Sequence, residues 1–297
     1  MLNLKLKYKV QNSFIDVKNS FIKEHKVFLY TSKTIFTSFK SYIYLIIIPA
    51  LLSFIDLAIK SSFFHNPINH YLYPTLFFVP ILSMILFTSF ILFDWRKSIF
   101  IKQMNNFKIT KINFLLGFIN ANIVASLFTI ACSFLYLFIF GFITPTNDFI
   151  NWILSIIDFR QILGVIFALL LSSILGTFIG VSITGTLKNI YVIQTINILI
   201  IFFMAIFGDI FLSPNDSSSV LAISIIGYFV PQKYSTWLLL YANAEMYKNF
   251  YNVYFFINSI DSYIPFSYYW QPLLGNLGFI ILTFSYSCYA FSLNIKK

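Results

Sequence analysis

Along most of this chain apolar residues do not alternate with polar ones; they run on until the stretch is long enough to cross a bilayer. Six such stretches stand out: Ser41–Ile59, Thr75–Phe93, Gly117–Phe140, Ile162–Ile183, Tyr191–Leu212 and Pro272–Leu293. Each is close to the ~20 residues that a helix needs to cross ~30 Å of hydrocarbon at about 1.5 Å per residue. The pattern predicts an all-α polytopic membrane protein. Its six-span domain covers residues 41–293, with a lead-in over 1–40 and a short tail over 294–297.

Between these stretches the pattern changes. In the lead-in, Phe14, Val17, Phe21 and Phe28 recur near one helical face, with Asp16, Asn19, Ser20 and Lys23 largely on others. That spacing fits an amphipathic helix lying along the inner headgroup layer, or equally a leader helix packed on its own bundle. Leu2–Val10 alternates with lysines and is compatible with a short extended start. The first long apolar run begins near Ser41, too far in for a signal-peptide core, so span 1 is expected to stay as an anchor. Pro80 lies inside span 2 and is expected to kink it.

The connection after span 5, from Ser213 to about Gln271, is the longest. A serine at 217–219 is placed to cap a helix running to Val230, which Pro231 would stop, and a second helix is expected from Tyr234 to about Tyr247. The first holds too few apolar residues for an ordinary span, so a re-entrant or interfacial pair is expected there. Phe149–Ile157 is apolar but short and is expected to lie in the interface. The aromatic tract Tyr251–Trp270 fits an interface belt.

Charge orients this layout. Of the twenty Lys and Arg, sixteen fall before span 1, between spans 2 and 3, in the turn before span 5, or at the C-terminus; only Lys60, Arg160, Lys233 and Lys248 fall in the alternate segments. By the positive-inside rule both termini are expected in the cytoplasm of a multi-pass cell-membrane protein. The net charge of +10 is then a matter of lipid headgroups and not of nucleic acid, while 59% hydrophobic and 10% charged residues exclude an ordinary soluble domain. Cys132 and Cys288 both fall inside spans, so no disulfide framework is indicated.

Little of the sequence carries chemistry. A phosphate-cradling Gly-rich loop with Lys and Ser or Thr is missing, as are HExxH, CxxC and GxSxG arrangements. Catalytic, cofactor-binding and metal residues are therefore assigned to none, and energy must come from an ion gradient or a separate protein. His65 and His70 read as solvated loop residues. Asp56 and Asp209 lie near the ends of spans 1 and 5, where each is expected to reach water or headgroups, with no Lys or Arg at midplane depth to pair with them. Gly176 and Gly180 form a GxxxG in span 4, extended by Gly164, Ser172 and Ser173, which predicts a close helix–helix seam.

The basic segment after span 2 resembles the membrane subunit of an ABC exporter of the ABC-2 permease type. Carrying the resemblance are Asp94-Trp95-Arg96-Lys97, Lys102-Gln103-Met104, Ile109-Thr110-Lys111 and Phe114-Leu115-Leu116-Gly117. Leu175-Gly176-Thr177-Phe178-Ile179-Gly180, Thr186-Leu187-Lys188-Asn189, Phe207–Pro214 and Pro231 after Tyr228-Phe229-Val230 are similar to later family positions. The resemblance implies a permease that is not itself an enzyme, pairs with a second permease subunit as a homo- or heterodimer, and binds separate ABC ATPase subunits carrying ATP and Mg. It implies that residues 94–113 meet the ATPase, with Phe100, Lys102, Gln103 and Met104 on or beside the coupling surface. Spans 1, 2 and 5 would border the export route or dimer seam, with Ser53, Asp56, Ser83, Thr88, Asn197 and Asp209 as its polar residues. The competing readings are a secondary transporter and a non-transport assembly or anchoring protein. Membrane lipids are expected partners in every case.

Single-cysteine labelling on a background lacking Cys132 and Cys288 checks the orientation. Position 103 should react only with a reagent that reaches the cytoplasm; exclusive labelling from outside would reverse the assignment.

Overall fold

The computed structural model describes residues 2–63, 75–97, 109–143, 159–212, 214–243 and 266–295, and among them every regular element is helical. In chain order these are α1 (Leu2–Thr37), α2 (Phe39–Tyr42), a π-helical turn (Ile43–Ile47), α3 (Ile48–Phe63), α4 (Phe78–Leu82), α5 (Met84–Lys97), α6 (Lys111–Ile143), α7 (Phe159–Thr186), α8 (Ile190–Phe207), α9 (Pro214–Ser219), α10 (Leu221–Gly227), α11 (Pro231–Asn243) and α12 (Trp270–Ile295). Six helical segments are long and apolar enough to cross a membrane: Phe39–Ala58, Thr75–Arg96, Lys111–Ile139, Gln161–Thr186, Ile190–Phe207 and Trp270–Phe291. They match the six apolar stretches in order, and are called spans 1 to 6 below.

Local chemistry explains where these helices bend. Pro49 has no N–H to give to the carbonyl four residues back, and the chain ahead of it widens into the π-helical turn Ile43–Ile47. In span 2 the interruption falls at Ser83, not at Pro80 itself; the Ser83 hydroxyl turns back to the Pro80 carbonyl. Span 5 is shorter than its hydropathy implied, ending at Phe207 because Gly208 caps the helix and Asp209 takes a left-handed conformation (φ 58°).

Spans 2, 3, 4 and 6 converge at one end of the bundle. Trp95 meets Phe114 edge-on (6.1 Å between ring centroids), Phe114 stacks on Phe291 at 5.0 Å, and the Arg96 guanidinium donates to the Leu187 carbonyl at 2.7 Å, closing the C-terminal end of span 4. The Asn189 side chain caps span 5 by accepting from the Tyr191 N–H. Arg96, Lys111 and Lys188 thereby gather at this basic end.

The lead-in is helical from Leu2, so no extended start is present. From Ser20 onward α1 runs beside span 3 in the same direction. Ser20 bonds Asn113, Glu24 accepts from Asn120, and the Phe36 ring meets Phe128 edge-on. Val27, Thr31 and Ile35, one turn apart, form its buried stripe. Of the two readings of the lead-in, this is the helix packed on its own bundle.

Span 2 is the enclosed element, 94% of it buried, whereas span 6 is 17% buried and spans 1 and 5 are 28% buried. Span 4 supplies the close contacts around it. Gly180 brings span 4 against the Ile85 carbonyl of span 2, where an added Cβ would stand 2.9 Å from that oxygen. Ser89 donates to the Gly180 carbonyl across the same seam. The GxxxG therefore joins two helices of one chain. On other sides of span 4, Gly185 lies against Ala290 of span 6 and Gly164 against Ala242 of α11.

The seam between α1 and span 3 is testable through Gly117, where a Cβ would stand 2.8 Å from the Glu24 carbonyl and 2.9 Å from Val27. Gly117→Leu should cost about 1–3 kcal/mol by overpacking and expose α1 to limited proteolysis. Gly278→Leu, at a position with no heavy atom within 4 Å, should leave thermal stability in detergent close to that of the parent.

Candidate functional site

The densest buried polar cluster lies where the chain leaves span 5. Gly208 is the C-cap, and its missing side chain lets Gln232 of α11 come within about a van der Waals contact of the turn. Asp209 follows in the left-handed region, which Asp tolerates better than most residues because its short polar side chain bonds locally. That conformation turns the carboxylate inward. Asp209 Oδ2 lies 3.4 Å from Lys233 Nζ and accepts a 2.8 Å hydrogen bond from the Trp237 indole N–H, and all three side chains are buried.

The helices around this pair are built to deliver it. Lys233 and Trp237 are four apart on α11 and so share a face. Pro231 opens α11 at its first position, where a missing N–H costs nothing, instead of merely ending the helix before it. The expected helix over 217–230 is two short ones, α9 and α10, separated at Val220 (φ −110°, ψ 108°). Gly227 at the end of α10 leaves room for the Lys233 side chain; a Cβ there would stand 2.6 Å from Nζ. The ammonium also sits 5.8 Å from the centroid of the Tyr228 ring.

A polar seam extends from this pair along α11. Ser172 of span 4 donates to Gln232 at 2.7 Å, Asn276 of span 6 bonds Ser235, and Gln161 of span 4 donates to the Asn243 carbonyl. These contacts run in opposite order along the two helices, so α11 is antiparallel to span 4. Its first turn is level with the middle of span 4, and its far end is level with Gln161.

The expected site residues separate in the fold. Ser53, Asp56, Ser83, Thr88, Asn197 and Asp209 are all buried inside the bundle, so in this conformation they face helices of the same chain and not a second copy. Ser53 belongs to a second network, in which its hydroxyl is 3.1 Å from the Tyr136 hydroxyl, which donates to Ser133 at 2.7 Å. Asp56 follows Ser53 by three residues on the same helix. Ser83 and Thr88 are enclosed with span 2, and both amide atoms of Asn197 are buried without a hydrogen-bond partner among the described residues. Phe100, Lys102, Gln103 and Met104 lie outside the described residues, as do His65, His70 and the segment 149–157.

Two expectations are corrected. Asp56 and Asp209 do not reach the surface of the bundle, and Asp209 does have a cationic partner, Lys233. The sequence counted Lys233 among the few basic residues of the outer segments, between the two helices expected there, and gave it no partner. A sharper signal was available in Lys233 and Trp237 at helical spacing after a proline. Among the described residues no group of three or more His, Cys, Asp or Glu side chains gathers to hold a metal.

Comparison with known protein families, with curated proteins and with solved structures finds no match to this chain.

Removing one partner of a buried ion pair costs more than the pair contributes, since a charge is left uncompensated. Lys233→Met should therefore lower stability by about 3–5 kcal/mol, read as the thermal transition in detergent. Adding Asp209→Asn to Lys233→Met should recover part of the loss; a double variant as unstable as the sum of the singles would show that the two side chains act independently.

Proposed function

We propose that this chain is the permease subunit of an ATP-driven exporter of the ABC-2 type. It would form half of a translocation route, pair with a second permease, and be powered by separate ATPase subunits that carry ATP and Mg. One structural observation supports the reading most: the helices between spans 5 and 6 fold back so that α11 lies antiparallel along span 4, with its first turn at the level of the middle of that helix. In a membrane crossed by span 4 such a fold-back would make a re-entrant segment, the arrangement expected of an extracellular cap above such a route. The order of a lead-in helix, six spans and a folded-back segment between the last two agrees with the sequence resemblance.

The basic end is consistent with the same reading. Arg96 ties the end of span 2 to the turn between spans 4 and 5. The segment after it, with Phe100, Lys102, Gln103 and Met104, would present a short mixed apolar and basic surface to the ATPase. Such a mixture allows an apolar edge to enter a protein groove while its lysine stays wet.

The buried Asp209–Lys233 pair favours a second reading, an ion-coupled secondary transporter, because intramembrane ionisable groups often mark ion paths. The two make different predictions. Under the exporter reading a separate ATPase copurifies, and replacing Phe100, Lys102, Gln103 and Met104 with Gly and Asp lowers its recovery at least tenfold while membrane insertion is retained. Unchanged ATPase recovery and transport in that variant would refute the coupling assignment. Collapse of an imposed pH gradient by the reconstituted chain alone, abolished by Asp209→Asn, would favour the ion-coupled reading instead.

A further inference from the structure

From Ser20 to Thr37, α1 stands upright against the first half of span 3, a helix apolar enough to cross a membrane from Lys111 to Ile139. Val27 packs on Gly117, and Phe36 meets Phe128. Lys33 lies between those two contacts, level with about residue 124 of span 3. That is roughly ten residues, or about 15 Å at ~1.5 Å per residue, beyond Phe114, where rings of spans 2, 3 and 6 meet at the basic end.

The face of α1 turned away from span 3 carries the charge. Val27, Thr31 and Ile35 are buried on one side, whereas Ile22, Lys26, Leu29 and Lys33 are exposed on the other, at steps of three and four residues. Among the described residues neither lysine pairs with a carboxylate, and Glu24 accepts from Asn120 instead. Span 1, which continues α1, begins its apolar run only at Phe39, and Tyr42 already meets Phe128. On this side of the molecule the apolar surface therefore starts about half-way up span 3. Span 6 is different: Leu282, nine residues before the Phe291 that stacks on Phe114, is 67% exposed at the height of Lys33.

A flat bilayer does not suit both sides. With ~30 Å of hydrocarbon beginning at the level of Phe114, Lys33 would stand near the midplane, where an unpaired ammonium is costly. Its stem recovers some of that depth, because Cα–Cβ bonds tilt toward the helix N-terminus, which for α1 is the basic end. Four carbons cover only part of the distance, and the lipid has to supply the rest. A leaflet thins around an apolar surface that is too short for it, and phosphates supply the charge that the lysines lack. A second copy, joined through the same face, would set lysines against lysines.

We propose that the outer face of α1 is a binding surface for anionic phospholipid headgroups, which Lys26 and Lys33 draw down into the leaflet at the basic end of the bundle. This assignment rests on the spans crossing a bilayer and not on the transport reading.

The full chain, lacking Cys132 and Cys288, tests it when a nitroxide is attached through Leu29→Cys or, as a hydrocarbon reference, through Leu282→Cys. In vesicles of phosphatidylethanolamine and phosphatidylglycerol, collision with a water-soluble nickel chelate, relative to collision with oxygen, should be at least threefold greater at position 29 than at 282. Combining Lys26→Leu and Lys33→Leu should at least halve that excess, since the leaflet relaxes once the charges are gone. Lys33→Leu alone should remove a smaller part, and serves where the double variant fails to reconstitute. In phosphatidylcholine vesicles the excess should fall at least twofold. Equal collision at the two positions, or an excess that survives loss of the lysines, overturns the proposal, and an excess unchanged in phosphatidylcholine overturns the choice of an anionic headgroup. Spin–spin broadening between copies labelled at position 29 overturns it too, since a second copy would then cover this face.

Discussion

Helices in an apolar solvent gain little by hiding apolar surface from one another, so a bundle must be held by close approach and by polar contacts. In this chain span 4 meets that constraint on several sides. Gly176 and Gly180 admit span 2, Gly185 admits span 6, and Gly164 admits α11. At Gly180, Gly185 and Gly164 a side chain would stand less than 3 Å from the neighbouring helix and force the two apart. The enclosure of span 2 follows, because span 4 can approach its backbone closely enough for Ser89 to reach the Gly180 carbonyl. Where span 4 turns toward the upper part of span 3 it presents Ile162, Ile166 and Leu169 instead of glycine, and there the two helices part to leave an apolar groove.

The second way of holding such a bundle, polar contact, is concentrated on α11. One face of this helix meets Asp209 through Lys233 and Trp237; others meet Ser172 and Asn276. Its first turn carries the buried Gln232, Lys233 and Ser235. Their partners come from span 4, span 6 and the turn after span 5, which fixes α11 in register and in depth. The left-handed Asp209 is part of the same device: turning the chain sharply after Gly208 aims the carboxylate inward while α9 and α10 leave in another direction. Replacing a buried ion pair by apolar side chains is often neutral for stability, but an apolar core would not single out one placement of α11 along span 4. That placement is the observation on which the transport proposal most relies.

The six spans were legible from the chain because crossing a membrane demands length and apolarity, and both are properties of contiguous sequence. The small-residue seam of span 4 was legible for a related reason: Gly176 and Gly180 recur at one helical turn. Their partner in span 2 was not, since a GxxxG says that something comes close and not what. The lead-in helix was legible as helical and amphipathic, yet its two placements could not be separated, and the face that packs on span 3 is Val27, Thr31 and Ile35, while Phe21 of the stripe read from the sequence is exposed.

Pairings between distant residues lay beyond the sequence altogether. Asp209 and Lys233 are separated by two short helices whose break at Val220 has no strong local signal, and only their packing brings the charges to 3.4 Å. Local pattern determined which segments are apolar, how long they are, and where glycine and proline permit or interrupt a helix, because those are short-range matters of sterics and solvation. The tertiary structure alone decided which helix fills which space. It enclosed span 2, matched a buried carboxylate with its ammonium, and left spans 3 and 4 apart, because each of these depends on residues that meet only after the chain has folded.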